Sequence, residues 1–246
     1  MKKPHLASNH AARPKGALHQ QTTDRLREMI VSGELKPGER LREAHYCEEL
    51  NVSRTPFREA VRTLMAEGLI EQLPNHSAVV AGLDVDDLKE LYEVVAALEA
   101  LAGELACQMA TRKDISDIVS IHSQMLDCYE RRERSAYLKL NHEIHKRVVE
   151  ISGNRTLLAS WQALVPKVER ARAMANLDEG RWLAAVTEHS RMLSALASGD
   201  GAALADLTRQ HFANGLPYSQ AQLQGDGAAH PGARSAILHP KTPDRG

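Results

Sequence analysis

The stretch from Ser53 to Gly68 combines the start and stop signals of a helix with a set of basic side chains. A serine suits the N-cap position of a helix, and a glycine suits the position just past its end. Apolar residues recur at helical spacing and predict an inward face formed by Ala60, Val61, Leu64 and Met65. The first turn and the opposite side would then present Arg54, Thr55, Arg58 and Arg62.

These side chains are of the types that bind DNA. A helix in the major groove leads with its N-terminal residues, and an arginine can donate two hydrogen bonds to O6 and N7 of guanine. Thr55 and the helix N-terminus can bind a phosphate. A solvated basic face without a partner is the alternative, and the charge pattern alone does not choose between the two interpretations.

A second group of polar residues falls where apolar residues would be expected. Three histidines lie on the apolar sides of different helical segments: His145 in 133–151, His189 in 180–198 and His211 in 201–215. Asn141 lies one turn before His145 on the same side. Burying several imidazoles costs free energy unless each finds a partner, and one divalent metal ion would satisfy all of them. A single buried histidine is more often a hydrogen-bonded core residue, so a metal site and a polar core both stay open here.

The neighbours of the basic helix predict a small domain around it. Two further helices and two β-prone runs fit the sequence, over Thr22–Ser32, Glu43–Leu50, Leu69–Gln72 and Ala78–Ala81. Three helices followed by a hairpin form a winged helix-turn-helix, which we assign to residues 19–82. This context favours DNA binding by the basic helix.

The rest of the chain is predicted to be helical. Asp84 is an N-cap candidate, and the stripe after it would be the buried face of a long helix: Leu88, Leu91, Val94, Val95, Leu98, Leu101 and Leu105. Further helical segments cover 114–130, 133–151, 155–176, 180–198 and 201–215. We therefore expect a mainly α fold, with an all-α helical bundle over 83–218. Residues 1–18 and 219–246 lack an apolar period and are expected to be a disordered arm and tail.

Composition limits the possible classes of protein. The formal net charge is −1, so attraction to DNA depends on where the charges lie and not on their sum. The sequence has no run of about 18 apolar residues and no hydrophobic signal core, which predicts a soluble, cytoplasmic protein without membrane contact. The three cysteines lack the spacing of a metal motif and are expected to be reduced.

The N-terminal region resembles the DNA-binding domain of the GntR family of bacterial transcription regulators. The likeness covers Gly33–Gly38, Leu50–Ile70 and the hairpin, and is most specific over Val52–Ala60. The resemblance implies Arg54, Thr55 and Arg58 as the main operator contacts, and we add Ser53, Arg62 and His76 to this set. This chain departs from the family pattern in two places: Ala44 replaces an arginine, and His76-Ser77 replaces the Arg-Gly of the wing tip.

The C-terminal region resembles the FCD effector domain of the FadR subgroup of that family. The likeness lies in Asn141–His145, Ser152–Asn154, Glu188-His189, Gly199-Asp200 and a final histidine, His211. In metal-binding members an Asp or Asn and three histidines hold the ion. Carried over, the ligands are Asn141, His145, His189 and His211, with His142 as the fallback.

The metal implied is a divalent ion such as Zn or Ni, because imidazole-rich ligation suits Zn, Ni, Fe or Cu. An open coordination position would attract a carboxylate effector. The family often has an arginine where this chain has Val95. Arg147, Arg170 or Arg172 could substitute for it, although we expect all three on the surface.

The resemblance thus implies a homodimer that binds a palindromic operator in double-stranded DNA, usually as a repressor, and responds to a small organic acid at the metal site. Two other functions stay open. A metal-responsive regulator would sense the ion itself, and a metalloenzyme would use the three-histidine site for hydrolytic or oxidative chemistry.

Overall fold

The computed structural model describes residues 17–74 and 77–227. The N-terminal elements are α1 (Ala17–Val31), α2 (Glu43–Glu49), α3 (Arg54–Ala66), β1 (Ile70–Gln72) and β2 (Ala78–Val80). The C-terminal helices are α4 (Val85–Met109), α5 (Arg112–Glu130), α6 (Arg134–Ile151), α7 (Arg155–Ala175), α8 (Glu179–Ser198) and α9 (Gly201–Gly227). The predicted fold class, a winged helix-turn-helix followed by an all-α bundle, is confirmed.

The N-terminal domain is built around the helix that the sequence marked as basic. Helix α3 buries Phe57, Ala60, Val61 and Leu64 against α1 and α2. The two strands pair antiparallel, with Ile70 opposite Val80. Apolar burial thus fixes one side of α3 inside the domain, and its remaining sides face outward.

The C-terminal domain is a bundle in which α4 packs along most of α9 and also contacts α6 and α7. Its core contains two clusters, one around Trp161 and one around Trp182. Capping side chains stabilise the N-termini of α4, α5, α7 and α8, and Asp84 accepts a hydrogen bond from the Asp86 amide as predicted. No helix in the described part of the chain has the length and apolar character needed to span a bilayer.

Helix α4 buries only part of the predicted stripe. Leu88 and Val95 are fully buried as predicted, whereas Val94 and Leu101 are 51% and 42% exposed. The buried side also includes Glu99, which the apolar stripe did not contain. Leucine, valine and alanine surround most of this helix, so apolar spacing identified the helix but did not single out the face that packs.

The final helix extends further than predicted, because α9 continues to Gly227 and structure does not stop at residue 218. The buried Ser219 hydroxyl donates to the carbonyl oxygen of Ala171 at 2.8 Å and lies 3.1 Å from the hydroxyl oxygen of Tyr92. These polar contacts, together with Leu216 and Leu223 packed against the core, fix the helix end on α7 and α4. Helix α1 begins at Ala17, inside the predicted arm, and residues 1–16 and 228–246 lie outside the described residues.

The two domains make direct polar contacts. Lys139 on α6 lies 2.8 Å from the carboxylate of Glu28 on α1. Arg170 on α7 is buried and donates to the carbonyl oxygen of Ala81, which lies between β2 and α4. Burial lowers the pKa of Arg170 to about 10, which still leaves it charged at neutral pH. A cavity of about 170 Å³ lies between α1 on one side and α6 and α7 on the other.

We expect Leu88→Ala to lower the free energy of unfolding of the bundle by about 2–5 kcal/mol, because Leu88 is fully buried and its truncation leaves a cavity. Both tryptophans lie in the bundle, so tryptophan fluorescence during urea titration reports on this domain. Leu183→Ala is the matched control, since Leu183 is 53% exposed. Equal losses in the two variants would contradict the assigned core.

Candidate functional site

The start of α3 is presented outward by a tight turn. Asn51, between α2 and α3, has a positive φ of 51° and reverses the chain there. Ser53 occupies the N-cap position with extended backbone, as predicted, but its side chain makes no capping hydrogen bond. The Ser53 side chain thus leaves the amide N–H groups of the first turn without a capping hydrogen bond. These groups lie at the same end of α3 as Arg54 and Thr55.

The predicted DNA-binding side chains are exposed. Arg54 and Arg58 have exposed side-chain fractions of 74% and 62%, and Thr55 and Arg62 are exposed as well. Glu43, the first residue of α2, lies 3.4 Å from Arg54 and 2.6 Å from Arg58. The arginines are therefore held at the surface and not packed into the domain. His76 lies outside the described residues.

The bundle brings the three predicted histidines together. His145 of α6, His189 of α8 and His211 of α9 are buried, and one ring nitrogen from each lies within 4.8 Å of the other two. The ring centroids are 4.9–5.5 Å apart. His142, the fallback ligand, lies outside this cluster, half-buried beside Glu169 and stacked on Trp161.

A carboxylate orients each of two histidines, and it is buried in Glu99 and partly buried in Glu188. Nδ1 of His145 lies 2.6 Å from Glu99, and Nδ1 of His211 lies 2.6 Å from Glu188. These short contacts require the proton on Nδ1, so the longer approaches of arginine nitrogens to the same atoms, at 3.3 and 3.4 Å, are not hydrogen bonds. Each Nε2 is then left with a free lone pair, the tautomer that metal-ligating histidines adopt beside a carboxylate.

The histidine nitrogens lack other partners. Nε2 of His145 and both ring nitrogens of His189 are buried without a hydrogen bond in the described structure. Burial lowers the pKa of His145 to about 4 and also lowers the pKa values of His189 and His211. The imidazoles are therefore neutral at neutral pH. Three neutral imidazoles with unpaired nitrogens form a donor set that fits a divalent transition metal ion.

Glu99 is itself held by three donors. Besides His145, the indole N–H of Trp161 and the guanidinium of Arg172 each donate to it at 2.9 Å. Burial by itself raises the pKa of Glu99, but attraction to Arg172 and His145 outweighs burial and lowers the pKa well below its usual value. Glu99 is thus an anion that fixes one wall of the site.

Arg181 binds Glu188 as Arg172 binds Glu99. Its guanidinium donates to Glu188 at 2.9 Å. Burial raises the pKa of Glu188, and hydrogen bonds from His211 and Arg181 reverse this and lower the pKa to about 2.

A small cavity of about 10 Å³ lies beside the histidines, and its polar lining residues are Tyr92, Asn141, Arg172, Asn176, Arg181 and His211. Nε and Nη1 of Arg172 and Nε of Arg181 are buried without hydrogen bonds within the described structure. The predicted ligand Asn141 is thus buried at the edge of the site, although coordination by it stays a prediction. On the other side of the cluster, a cavity of about 20 Å³ is mostly apolar and is lined by residues such as Ile118, Ile144 and Leu196.

The predictions from the sequence missed some of these residues and placed others wrongly. Arg170 and Arg172 were expected on the surface and are buried, whereas Arg147 is partly exposed and paired with Asp114. Glu99 and Arg181 were not identified as site residues. The signal that could have identified Glu99 is its position on the same side of α4 as Tyr92, Val95 and Ala102.

Comparison with known proteins agrees with this architecture. A model described as bacterial regulatory proteins, gntR family, matches residues 18–80, and the FCD domain model matches residues 90–214. The Nta operon transcriptional regulator of Aminobacter aminovorans is 38% identical over 58% of this chain and 68% of that protein. A probable D-xylose utilization operon transcriptional repressor of Paenarthrobacter nicotinovorans is 31% identical over 81% of this chain and 88% of that protein.

A solved structure supports the fold. McbR/YncC of E. coli superposes with a TM-score of 0.71 at 20% identity, covering 86% of this chain and 99% of the other. Since the two family matches cover both domains, and the similar proteins are transcription regulators and not enzymes, the chain belongs to the GntR family of bacterial regulatory proteins as a regulator with an FCD domain.

Proposed function

We propose that this regulator is a homodimeric, cytoplasmic repressor that binds a palindromic operator and is released by a small organic acid at a metal site in the FCD domain. The observation that supports it most is the cluster of His145, His189 and His211, in which Nε2 of His145 and both ring nitrogens of His189 are buried without a partner among the described residues. Burying these groups unpaired is costly, and a bound ion would offset that cost.

The proposed ligands are Asn141, His145, His189 and His211, and the ion is Zn, Ni or a similar divalent metal. Such an ion, when bound, supplies a positive centre with a coordination position for an oxygen ligand. Glu99 and Glu188 keep His145 and His211 in the tautomer that can bind it.

Two buried arginines support an anionic effector. Arg172 and Arg181 have unused N–H groups beside the cavity that they share with His211. Guanidinium groups bind carboxylates with two parallel hydrogen bonds. The cavity of about 10 Å³ is too small for an organic acid, so binding requires its walls to move.

Movement of α6 would reach the DNA-binding domain. This helix carries Asn141 and His145, and its Lys139 pairs with Glu28 of α1. Helix α1 in turn holds the recognition helix, because Arg27 forms two hydrogen bonds to Glu67, at 3.0 and 2.7 Å, just beyond the end of α3. An effector that binds more tightly to one position of α6 would favour that position. The equilibrium between the operator-binding and the released arrangement would then shift by the difference between the effector's affinities for the two.

An exposed apolar face on α4 supports a homodimer. Val94, Leu101 and Met109 are 51%, 42% and 61% exposed and recur along one side of the helix. A second copy packed on this face would bury it. Two recognition helices about one DNA turn apart would then match a palindromic operator. Ser53, Arg54, Thr55, Arg58, Arg62 and His76 stay the proposed DNA contacts.

The second candidate is a regulator whose effector is the metal ion itself, which the same three-histidine cluster favours. Genomic fragments captured by the purified protein supply the operator, and the genes beside them indicate candidate organic acids. Operator binding is then measured with and without chelator, and with each acid. Release by an acid only in the metal-loaded protein supports the proposal, whereas a response to metal alone supports the second candidate.

We expect Arg58→Ala to weaken binding to the captured operator by about 1–3 kcal/mol, because it removes a base contact. Fluorescence anisotropy at fixed salt measures the change. Arg191→Ala, which removes an exposed arginine of the bundle, is the control and should bind normally. Unchanged operator affinity in Arg58→Ala would reject α3 as the reading helix.

We expect His189→Ala to lose most of its bound metal and its response to the effector, because it removes a nitrogen at the centre of the cluster. Elemental analysis of the purified protein measures the metal content. His142→Ala is the control, since His142 lies on the same helix as His145 but outside the cluster. Full metal occupancy in His189→Ala would remove this residue from the ligand set.

We expect Leu101→Glu to dissociate the dimer, because it places a charge in the proposed apolar interface. Analytical ultracentrifugation measures the mass. Leu183→Glu places the same charge at an exposed leucine of α8 and should leave the dimer intact. A dimer unaffected by Leu101→Glu would contradict the assigned face.

A further inference from the structure

We propose that Glu43 is a positioning residue that sets which edge of the Arg58 guanidinium reads a base, and that it thereby determines operator specificity. This inference rests on the proposed role of α3 in DNA binding. Glu43 belongs to α2 and not to the reading helix, and it is absent from the DNA contacts expected from the sequence.

The contact between the two residues uses one edge of the guanidinium. Nε of Arg58 donates to Oε2 of Glu43 at 2.6 Å, and Nη2 donates to Oε1 at 3.1 Å. A guanidinium has five N–H donors in one plane. The pair therefore leaves both hydrogens of Nη1 and one of Nη2 free. One hydrogen of Nη1 and the free hydrogen of Nη2 form the outer edge as two parallel donors, which is the arrangement that O6 and N7 of guanine accept.

The same carboxylate also restrains Arg54. Nε of Arg54 lies 3.4 Å from Oε1 of Glu43, and Arg54 and Arg58 are one helical turn apart. Two cations at this spacing repel each other, and the anion beside both offsets the repulsion. Hydrogen bonding from Arg58 lowers the pKa of Glu43, so the carboxylate is charged at neutral pH.

The consequence lies in specificity and not in stability. An exposed ion pair of this kind contributes little to folding. It does hold a long side chain in one orientation before DNA arrives, and such preorganisation reduces the ordering cost of binding. A carboxylate near the groove also repels phosphates, so it weakens binding to unrelated DNA. Both effects raise the ratio of specific to non-specific affinity.

The experiment compares full-length wild-type protein with Glu43→Gln, Glu43→Asp and the control Glu48→Gln. Glu48 is an exposed acid on the same helix that forms no ion pair with the described residues, so its replacement changes the charge equally. The probe is the duplex that wild-type protein selects from randomised DNA. The guanine assigned to Arg58 is the position whose preference Arg58→Ala abolishes. Affinities are measured for this duplex, for its guanine-to-adenine variant and for an unrelated duplex, at several salt concentrations.

We expect Glu43→Gln to lower the preference for guanine over adenine at that position by about tenfold, within the range of one bidentate base contact. It should also bind the unrelated duplex more tightly than wild type. Glu43→Asp keeps the charge but is one methylene too short for the contact, so it should lose the base preference without gaining non-specific affinity. Glu48→Gln should keep the wild-type preference.

Equal base preference in Glu43→Gln, Glu43→Asp and wild type would overturn the inference, since Glu43 would then act as an ordinary surface charge. This result differs from failure of the proposed function. In that case Arg58→Ala itself would abolish no base preference, and α3 would not be the reading helix.

Discussion

The buried carboxylate of Glu99 is the constraint on which the effector domain depends. It is an anion inside the bundle, and His145, Trp161 and Arg172 all donate to it. Removing one partner of a buried ion pair typically costs about 3–5 kcal/mol, because a charge is left uncompensated. Helices α4, α6 and α7 are therefore fixed relative to one another by a polar contact and not only by apolar packing. The same contact fixes the proton of His145 on Nδ1 and leaves Nε2 available.

This arrangement places a proposed metal ligand and a contact to the DNA-binding domain on the same helix. His145 of α6 is tied to Glu99 in the interior, while Lys139, on the preceding turns of α6, is paired with Glu28 of the DNA-binding domain. The cavity between the domains is bordered by Lys139 on one side and by Arg172 on another. A change in the position of Arg172 would thus alter both the site and the domain contact. Coupling of this kind requires only that a packed helix such as α6 has two stable positions. It does not require a large change in the rest of the domain.

The sequence predicted what depends on periodicity and local signals. The start of α7 and the end of α8 follow from Gly153-Asn154 and Gly199-Asp200. The histidines were found because each interrupts an apolar side on a different helix. Glu99 escaped because leucine, valine and alanine occur on most sides of α4, and a charged residue carries no weight in an apolar period. Arg172 escaped for a related reason, since its partner is distant in the sequence. Ser219 shows the same limit at the C-terminal end of the fold, where its hydroxyl contacts Ala171 and Tyr92, residues distant in the sequence.

The charges around the histidines explain why the effector should be an anion. Glu99 and Glu188 balance Arg172 and Arg181, and the three imidazoles are neutral, so the protein contributes no net charge to the site. A divalent ion would then leave two positive charges in the interior, because the proposed ligand Asn141 is neutral and a carboxylate in its place would remove one of them. Uncompensated charge in a low dielectric is unfavourable, and an acid that enters with negative charge relieves it. Under the proposed function, neutralisation of the metal charge would therefore come from the bound effector and not from Asn141.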